Sequence, residues 1–282
     1  MIPKNGLSII SWNVNGIRSK IVNEKTSAKK CPIPIEEDSN MAKMINNYDP
    51  DIICLSEVRC AEDVSKRIVC DHYPYKYYHQ STRTERGRGA GYSGTAIWSK
   101  IQPINVYNDL PTLKEPNCEG RILVAEYKDF YLINVYTPNS GSNEEYRINE
   151  WDMAMLKYIN TLKKTKGVVL VGDMNVCHTE LDYHDTIPTK RRIAGLLPEE
   201  RENFSNYIDN GMVDTFRYKY NDVCDGFTWW TPLFKQARIL NKGWRLDYAL
   251  VTDSLINYVN DSIILKDVMG SDHCPILLEL EL

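Results

Sequence analysis

Near the end of the chain, the stretch GSDHCPILLEL sets an acid and an imidazole side by side. These are Asp272 and His273, on a glycine-led turn that feeds an apolar run. A final strand needs neither, so other parts of the chain must meet them. Candidates stand at the ends of other apolar runs: Asn13 and Asn15 after LSIISW, Glu57 after DIICLS, and Tyr136 and Asn139 at the close of FYLINVY. Asp173 and Asn175 close GVVLVGDMNV, and Asp247 lies in GWRLDY. Any single Asn or Asp at a strand end is ordinarily a turn residue. Their recurrence at strand mouths points instead to one rim where a ligand sits. The residue types define the chemistry. Carboxylate and amide oxygens, one histidine and no well-placed thiolate select Mg²⁺ or Mn²⁺ over zinc. Amides and a tyrosine hydroxyl suit phosphate oxygens, which need donors. Together these types describe metal-assisted attack of water on a phosphodiester.

The elements that must position these groups are short strands. LSIISW, DIICLS, GTAIWS, RILVAEY, FYLINVY, GVVLVGD, LDYALVT and CPILLEL are β-branched and apolar, with turn-rich flanks. Helices are expected over 144–165, where Trp151, Met155, Tyr158 and Leu162 recur at spacings of three and four. Two more are expected, over 39–48, opened by Ser39, and over 198–211, with Pro198 in front and Gly211 at the close. Helices do not alternate strictly with strands, which favours two packed sheets with helices outside over one doubly wound parallel sheet. No stretch looks like a linker, so residues 1–282 are expected to form a single domain, with a long exposed loop near 23–40.

The chain has 282 residues, 43% hydrophobic and 26% charged, enough for a sizeable core. A net charge of -4 excludes a bulk polycation, so nucleic-acid binding would need a local basic face or metal ions. No apolar run is long enough to span a bilayer, and MIPKNGLSIISWN lacks the layout of a signal peptide, so no membrane role is expected. The eight cysteines form no CxxC pair and read as free thiols of a reducing intracellular compartment, cytoplasm or nucleus.

The segments SWNVNGIR, DIICLSEVRC, GYSGTAIWS, EGRILVAEY, VYTPNSG, VGDMNV, FTWWT, GWRLDY and GSDHCPI occur in this order from about residue 8 to 280. In this the chain resembles the exonuclease III / AP endonuclease family. The resemblance implies an α/β fold of the DNase I-like kind, a four-layered α/β sandwich of two packed mixed β-sheets flanked by helices. It implies Mg²⁺-dependent hydrolysis, with Mn²⁺ as the alternative ion, of the phosphodiester 5′ to abasic sites in double-stranded DNA. The product would carry a 3′-OH, the setting would be base excision repair, and some 3′–5′ exonuclease or 3′-phosphodiesterase activity is expected. A monomer is expected.

Carried over residue by residue, the resemblance makes Glu57 the main metal ligand, with Asn15 and Asp272 near the ion and Asn13 in the same shell. His273 would contact the phosphate, and Asp247 would accept its other ring N–H. Asp173 would position or deprotonate the attacking water, the Asp247–His273 pair being the alternative base. Asn175, Asn139 and Tyr136 would hold phosphate oxygens. Trp229, Trp244 and Leu246 would line a small apolar pocket for a sugar that has lost its base and turns out of the helix at little cost. Arg59 stands where the family usually has Lys and would bind substrate. The basic runs RTERGRG (83–89) and TKRR (189–192) lie in loops that would meet the duplex.

The chain departs from the family pattern in places. Ser56 replaces a usual Gln, Ser142 replaces a basic residue, Ile193 replaces a frequent Asn, and Leu233 and Phe234 lie where a wedge could enter the base stack. Two other readings compete: a superfamily phosphodiesterase or phosphatase acting on RNA or phospholipid, and a catalytically inactive lesion-binding protein. The Trp229/Trp244 pair with GWRLDY weighs against the first. Retention of Glu57, Asp173 and His273 weighs against the second.

Overall fold

The computed structural model describes residues 6–22, 32–82, 91–114, 118–184 and 192–282. In chain order the strands are β1 (Leu7–Asn13), β2 (Ile33–Pro34), β3 (Ile52–Ser56), β4 (Ile68–Val69), β5 (Tyr75–His79), β6 (Thr95–Ser99) and β7 (Asn105–Tyr107). They continue as β8 (Ile122–Glu126), β9 (Phe130–Tyr136), β10 (Gly167–Asp173), β11 (Met212–Asp214), β12 (Asp247–Thr252), β13 (Val259–Ile264) and β14 (Ile276–Leu280). The α-helices are α1 (Arg18–Ile21), α2 (Asn40–Tyr48), α3 (Glu62–Ser65), α4 (Asp152–Leu162), α5 (Pro198–Asp209) and α6 (Thr215–Lys219).

Two six-stranded sheets form, in the orders β13-β14-β1-β3-β6-β5 and β11-β12-β10-β9-β8-β7. Each has a parallel pair at its centre, β1 with β3 and β9 with β10, and antiparallel partners on either side. Strands apolar on both faces need cover on both faces. Ile9, Ile52, Cys54 and Ile97 of the first sheet meet Leu132, Val169, Val171 and Val251 of the second. The alternate residues Ile10, Ile53 and Leu55 pack with Met41 and Met44 of α2. Ile133, Val168 and Leu170 pack with Met155 and Ile159 of α4 and Phe204 of α5. The layers are therefore helix, sheet, sheet, helix, as the sequence reading anticipated. Each fully buried side chain of this kind contributes about 1.5–3 kcal/mol.

The helices start and stop where their residues require. Ser39 caps α2 by accepting from the Ala42 amide at 3.2 Å, and Asp49 ends it in the left-handed region. Pro198 opens α5. A π-helical turn, Tyr146–Trp151, leads into α4.

Two contacts set the spacing of the sheets and of their strands. Asn134 of β9 is fully buried between the sheets, and its amide donates to the carbonyls of Leu55 at 3.0 Å and Ala96 at 2.9 Å in the other sheet. Gly172 has φ +139°, and a Cβ there would lie 2.0 Å from the Val135 carbonyl oxygen, so β9 and β10 approach at a point only glycine permits.

The structure adds elements that the apolar runs do not announce. The described end of the 23–40 stretch is not an open loop: Ile33 is fully buried, and Ile33–Pro34 pairs with Ile68–Val69. Residues 23–31 lie outside the described residues. Among the described residues no helix is long and apolar enough to cross a membrane. The described cysteines, Cys54, Cys60, Cys70, Cys118, Cys177, Cys224 and Cys274, are free thiols.

Candidate active site

Parallel pairing of β1 with β3 continues past both strand ends. Val14 donates to Ser56, Gly16 to Glu57 at 2.8 Å and Ile17 to Val58, all through the backbone. This draws the Asn13–Asn15 turn against Glu57. In the second sheet Asp173, the last residue of β10, pairs in register with Tyr136 of β9 and with Asp247 of β12. The third strand mouth is tied by backbone bonds from Trp230 to Asp272 at 3.0 Å and from Cys274 to Thr228 at 2.8 Å. All these ends meet at one edge between the two sheets.

The side chains join there. Asn13, fully buried, donates from its single amide nitrogen to Glu57 Oε1 at 3.1 Å and to Asp173 Oδ2 at 2.9 Å. Its carbonyl accepts from the Asn15 amide at 3.1 Å. Asn15 Nδ2 donates to Asp272 Oδ1 at 2.9 Å, and Asp272 Oδ2 accepts from Trp229 Nε1 at 3.3 Å. His273 Nδ1 bonds to Asp247 Oδ2 at 2.7 Å, while its Nε2 is 3.9 Å from Asp173 Oδ2, beyond hydrogen-bond reach. Asn139 donates to Asn175 Oδ1 at 3.1 Å, and the Asn175 backbone N–H donates to Asp173 Oδ1 at 2.9 Å. Tyr136 faces Glu57 and Asp173, with the Arg121 guanidinium over its ring, 4.6 Å from the centroid. Asn15, Glu57, Arg59, Ser93 and Asn175 all have positive φ. Asparagine tolerates such backbone, but it is costly for Glu57, Arg59 and Ser93, and strain of that kind clusters where a site demands it.

Burial and charge shift the titrations strongly. Asp173 is raised to about 7: burial is the main cause, His273 pulls against it, and Asp247 and Glu57 add to the rise. Burial alone would lower His273, but Asp247, then Asp173 and Asp272, outweigh it and hold the ring at about 10. At neutral pH the ring is an imidazolium whose Nε2–H is not engaged by Asp173. Burial would raise Asp272, yet His273, Asn15 and Trp229 hold it below the ordinary carboxylate range. Burial, with Glu57 close by, pushes Tyr136 well above the ordinary phenol value.

Trp229 and Trp244 meet edge to face, with ring centroids 5.4 Å apart, and exchange backbone bonds in both directions. Both are half-buried, whereas Leu246 is 5% exposed and lies beneath them with Cys177 and Tyr183. Arg59 points across the rim: one guanidinium nitrogen donates to Asn15 Oδ1 at 2.5 Å and another is ion-paired with Glu57 Oε2. Leu233 is 96% exposed and Phe234 is 43% exposed, so both are free to meet a ligand. RTERGRG lies outside the described residues, as does TKRR except Arg192, which pairs with Glu144 and Glu199.

Every strand-end residue singled out in the sequence thus lies at this rim or in its walls. Sequence reasoning missed the residues that shape the walls. Arg147, 1% exposed, donates to the carbonyls of Pro138 at 2.9 Å and Met174 at 3.0 Å, pinning the two loops that carry Asn139 and Asn175. Its signal was present: Arg147 precedes Trp151 by four, on the apolar stripe of its helix. Thr228 Oγ1 accepts from the amides of Leu246 and Asp247, both at 3.0 Å. Ser271 Oγ donates to the Asn13 carbonyl at 2.8 Å. Arg245, fully buried between Trp244 and Leu246, donates to Asp182 and Asp214, each at 2.7 Å.

The donor set suits a hard divalent cation. Among the described residues no group of three or more His, Cys, Asp or Glu side chains is arranged to hold a metal. The oxygens on offer come instead from the Glu57 and Asp272 carboxylates and the Asn15 amide. Among the described residues Glu57 Oε2 is buried without a hydrogen-bond donor of ordinary geometry and is ion-paired with Arg59. One or two carboxylates, amide oxygen and room for water match what Mg²⁺ or Mn²⁺ accepts and do not match zinc.

A family model described as the endonuclease/exonuclease/phosphatase family matches residues 10–273, nearly the whole chain. The chain belongs to that family. The DNA repair nuclease APEX1 of Danio rerio is 37% identical over 279 residues, covering 97% of this chain and 82% of that protein. An exodeoxyribonuclease of Bacillus subtilis is 35% identical, covering 96% of this chain and 98% of its own. The crystal structure of an AP endonuclease from Leishmania major superposes with a TM-score of 0.81 at 25% identity, covering 99% of this chain and 89% of that one. Metal use is general in this endonuclease/exonuclease/phosphatase family, which agrees with the oxygen-rich rim.

Proposed function

We propose that this protein is an AP endonuclease of base excision repair. On this reading it hydrolyses the phosphodiester 5′ to an abasic site in double-stranded DNA, leaves a 3′-OH, and trims some 3′ ends. The observation that carries the reading is the junction at the rim: Asn13 ties Glu57 to Asp173, and His273 lies between Asp173 and Asp247. The AP endonuclease among the similar structures supports the incision, and the exodeoxyribonuclease relative supports the trimming of 3′ ends.

The residues act as follows. Asp173, raised to about 7, is a base matched to neutral pH and takes the proton of the attacking water. His273 stays protonated, so it serves as a fixed charge rather than as the base. Its Nε2–H points at a phosphate oxygen and stabilises the charge that gathers as the bond to phosphorus forms. Asp247 fixes the orientation of the ring and keeps it charged. Asn175, Asn139 and Tyr136 hold the remaining phosphate oxygens. The bond between phosphorus and the 3′ oxygen of the preceding nucleotide breaks. Glu57, Asn15 and Asp272 would hold a divalent ion, Mg²⁺ first and Mn²⁺ as the alternative, with Asn13 orienting Glu57. When bound, that ion supplies positive charge to the phosphate and to the departing oxygen. The angle between Trp229 and Trp244 forms the wall of a pocket for the baseless sugar, with Leu246 as its floor.

On this reading the chain works as a single domain and a monomer in a reducing intracellular compartment. All the rim residues come from one chain, and the described thiols are free, which supports it. The test is incision of a duplex bearing one tetrahydrofuran abasic mimic, with Mg²⁺ and with EDTA, beside an intact duplex and single-stranded RNA. Metal-dependent cutting confined to the 5′ side of the mimic is expected. Cutting of RNA alone, or binding without cutting under both conditions, would overturn the proposal.

A further inference from the structure

Arg59 occupies two of the oxygens that the proposed metal would use. Its backbone is pinned by a bond from its amide to the Ser93 carbonyl at 2.9 Å and has a φ of +48°, which turns the side chain back over the rim. Its fork then spans two residues: one nitrogen donates to Asn15 Oδ1 at 2.5 Å and another pairs with Glu57 Oε2. The remaining Glu57 oxygen faces Asn13, and the Asn15 amide nitrogen is committed to Asp272. The guanidinium therefore sits on the Asn15 side-chain oxygen and on the Glu57 oxygen that Asn13 does not use. A guanidinium does not deprotonate in proteins, so it cannot yield by losing its charge. It can yield only by moving, and its side chain, 43% exposed on a flexible stem, is free to do so.

Resting on the reading of Glu57 and Asn15 as metal ligands, we infer that Arg59 is a resident competitor of the divalent ion, released when a nucleic-acid phosphate offers it a better acceptor. A fork of this shape matches a phosphate as well as a carboxylate. Metal-free and DNA-free protein is then closed by its own charge. A phosphate near the rim draws Arg59 away and opens Glu57 to the ion. By linkage, DNA raises metal affinity and metal raises DNA affinity by the same factor. The device keeps the hydrolytic centre unloaded until its substrate is in place.

The test reads metal binding rather than cutting. Mn²⁺ alone is titrated into wild type, Arg59→Gln, Arg59→Lys and Glu57→Gln by calorimetry and by electron paramagnetic resonance. The titration is then repeated with a duplex whose abasic linkage is an uncleavable phosphorothioate. Without DNA, Arg59→Gln is expected to bind Mn²⁺ about tenfold tighter than wild type, within the range of ordinary coupling between sites. Arg59→Lys, which cannot span both oxygens, is expected to fall between them. The duplex should tighten Mn²⁺ binding more in wild type than in Arg59→Gln. Thermal melts confirm that each variant is folded. Equal or weaker Mn²⁺ binding by Arg59→Gln, with Glu57→Gln weakened, would overturn the inference and leave the metal site standing. Unchanged Mn²⁺ binding by Glu57→Gln would overturn the metal site itself.

Discussion

Asp173 and Asp247 are direct partners across the antiparallel β10–β12 pair, both buried. Two like charges so placed repel each other, and the arrangement is tolerable because the charged His273 ring lies against both. One imidazolium thus carries the charge that faces both acids, and its position depends on Asp247, to which it is hydrogen-bonded.

Asp247→Asn removes the strongest partner of His273, so the ring should titrate well below its present value of about 10. The sign follows from linkage. A histidine raised in the folded state stabilises it fully below about 6.5, and that contribution disappears as pH rises through about 10. Nuclear magnetic resonance of the ring should show the drop. Incision should fall by about 10²–10⁴. A ring that stays charged to alkaline pH in Asp247→Asn would refute the pairing.

His273→Ala should abolish incision, with a loss of at least about 10²–10³ in rate, while binding to the abasic mimic survives. Single-turnover cutting and a gel-shift titration separate the two. Wild-type cutting by this variant would dismiss the assignment.

Trp244→Ala should widen the pocket wall and weaken discrimination more than catalysis. The preference for abasic over intact duplex is expected to fall about tenfold or more, as pocket substitutions usually do. Paired kcat/KM measurements on the two duplexes decide it. An unchanged ratio would remove Trp244 from the pocket.

Acid stability should depend on Asp182. Burial would raise it, but Arg245 and Arg217 hold it down at about 2. A depressed carboxylate contributes stability above its ordinary 3.8, lost as pH falls through about 2. That contribution is about 2 kcal/mol. Urea unfolding of wild type and Asp182→Asn between pH 2 and pH 5 should show a slope in the first that flattens in the second. Parallel slopes would count against this ion network.

Gly172→Ala should destabilise the fold by about 3 kcal/mol or more, because its Cβ would overlap the Val135 carbonyl. Chemical unfolding measures it directly, and a variant as stable as wild type would show that the β9–β10 approach can relax.

The sequence displayed those parts of the fold that bury apolar side chains on both faces. LSIISW, DIICLS, GVVLVGD and LDYALVT read as strands because nothing else would hide them. β5 was illegible because YKYYH is half-buried and polar, and β13 because VNDSII carries acid and amide in its middle. β7 and β11 are three residues long and leave almost no pattern. The rim was legible through types, since Asn13, Glu57, Asp173 and His273 are chemically loud. Its supports were not. Arg147, Thr228 and Ser271 act on backbone groups, which every residue carries alike, so spelling alone cannot show which carbonyl or amide will be waiting. The part of the 23–40 stretch that joins the core was hidden for the same reason: Ile33 is one apolar residue among polar ones, and only its partner Ile68 makes it a strand.

Asn134 ties β9 to the carbonyls of Leu55 and Ala96 on the opposite sheet. Glu57 hangs from one sheet and Asp173 from the other, so the gap that the single Asn13 nitrogen bridges depends on how closely the sheets pack. A methyl group added deep in the filling, at Ala249 or Ala125, would act as a shim, prying the two carboxylates apart without touching either. Variants of that kind should lose turnover while their ligands and bases remain chemically intact, and the amide of Asn134 is the clasp that such a shim would have to strain.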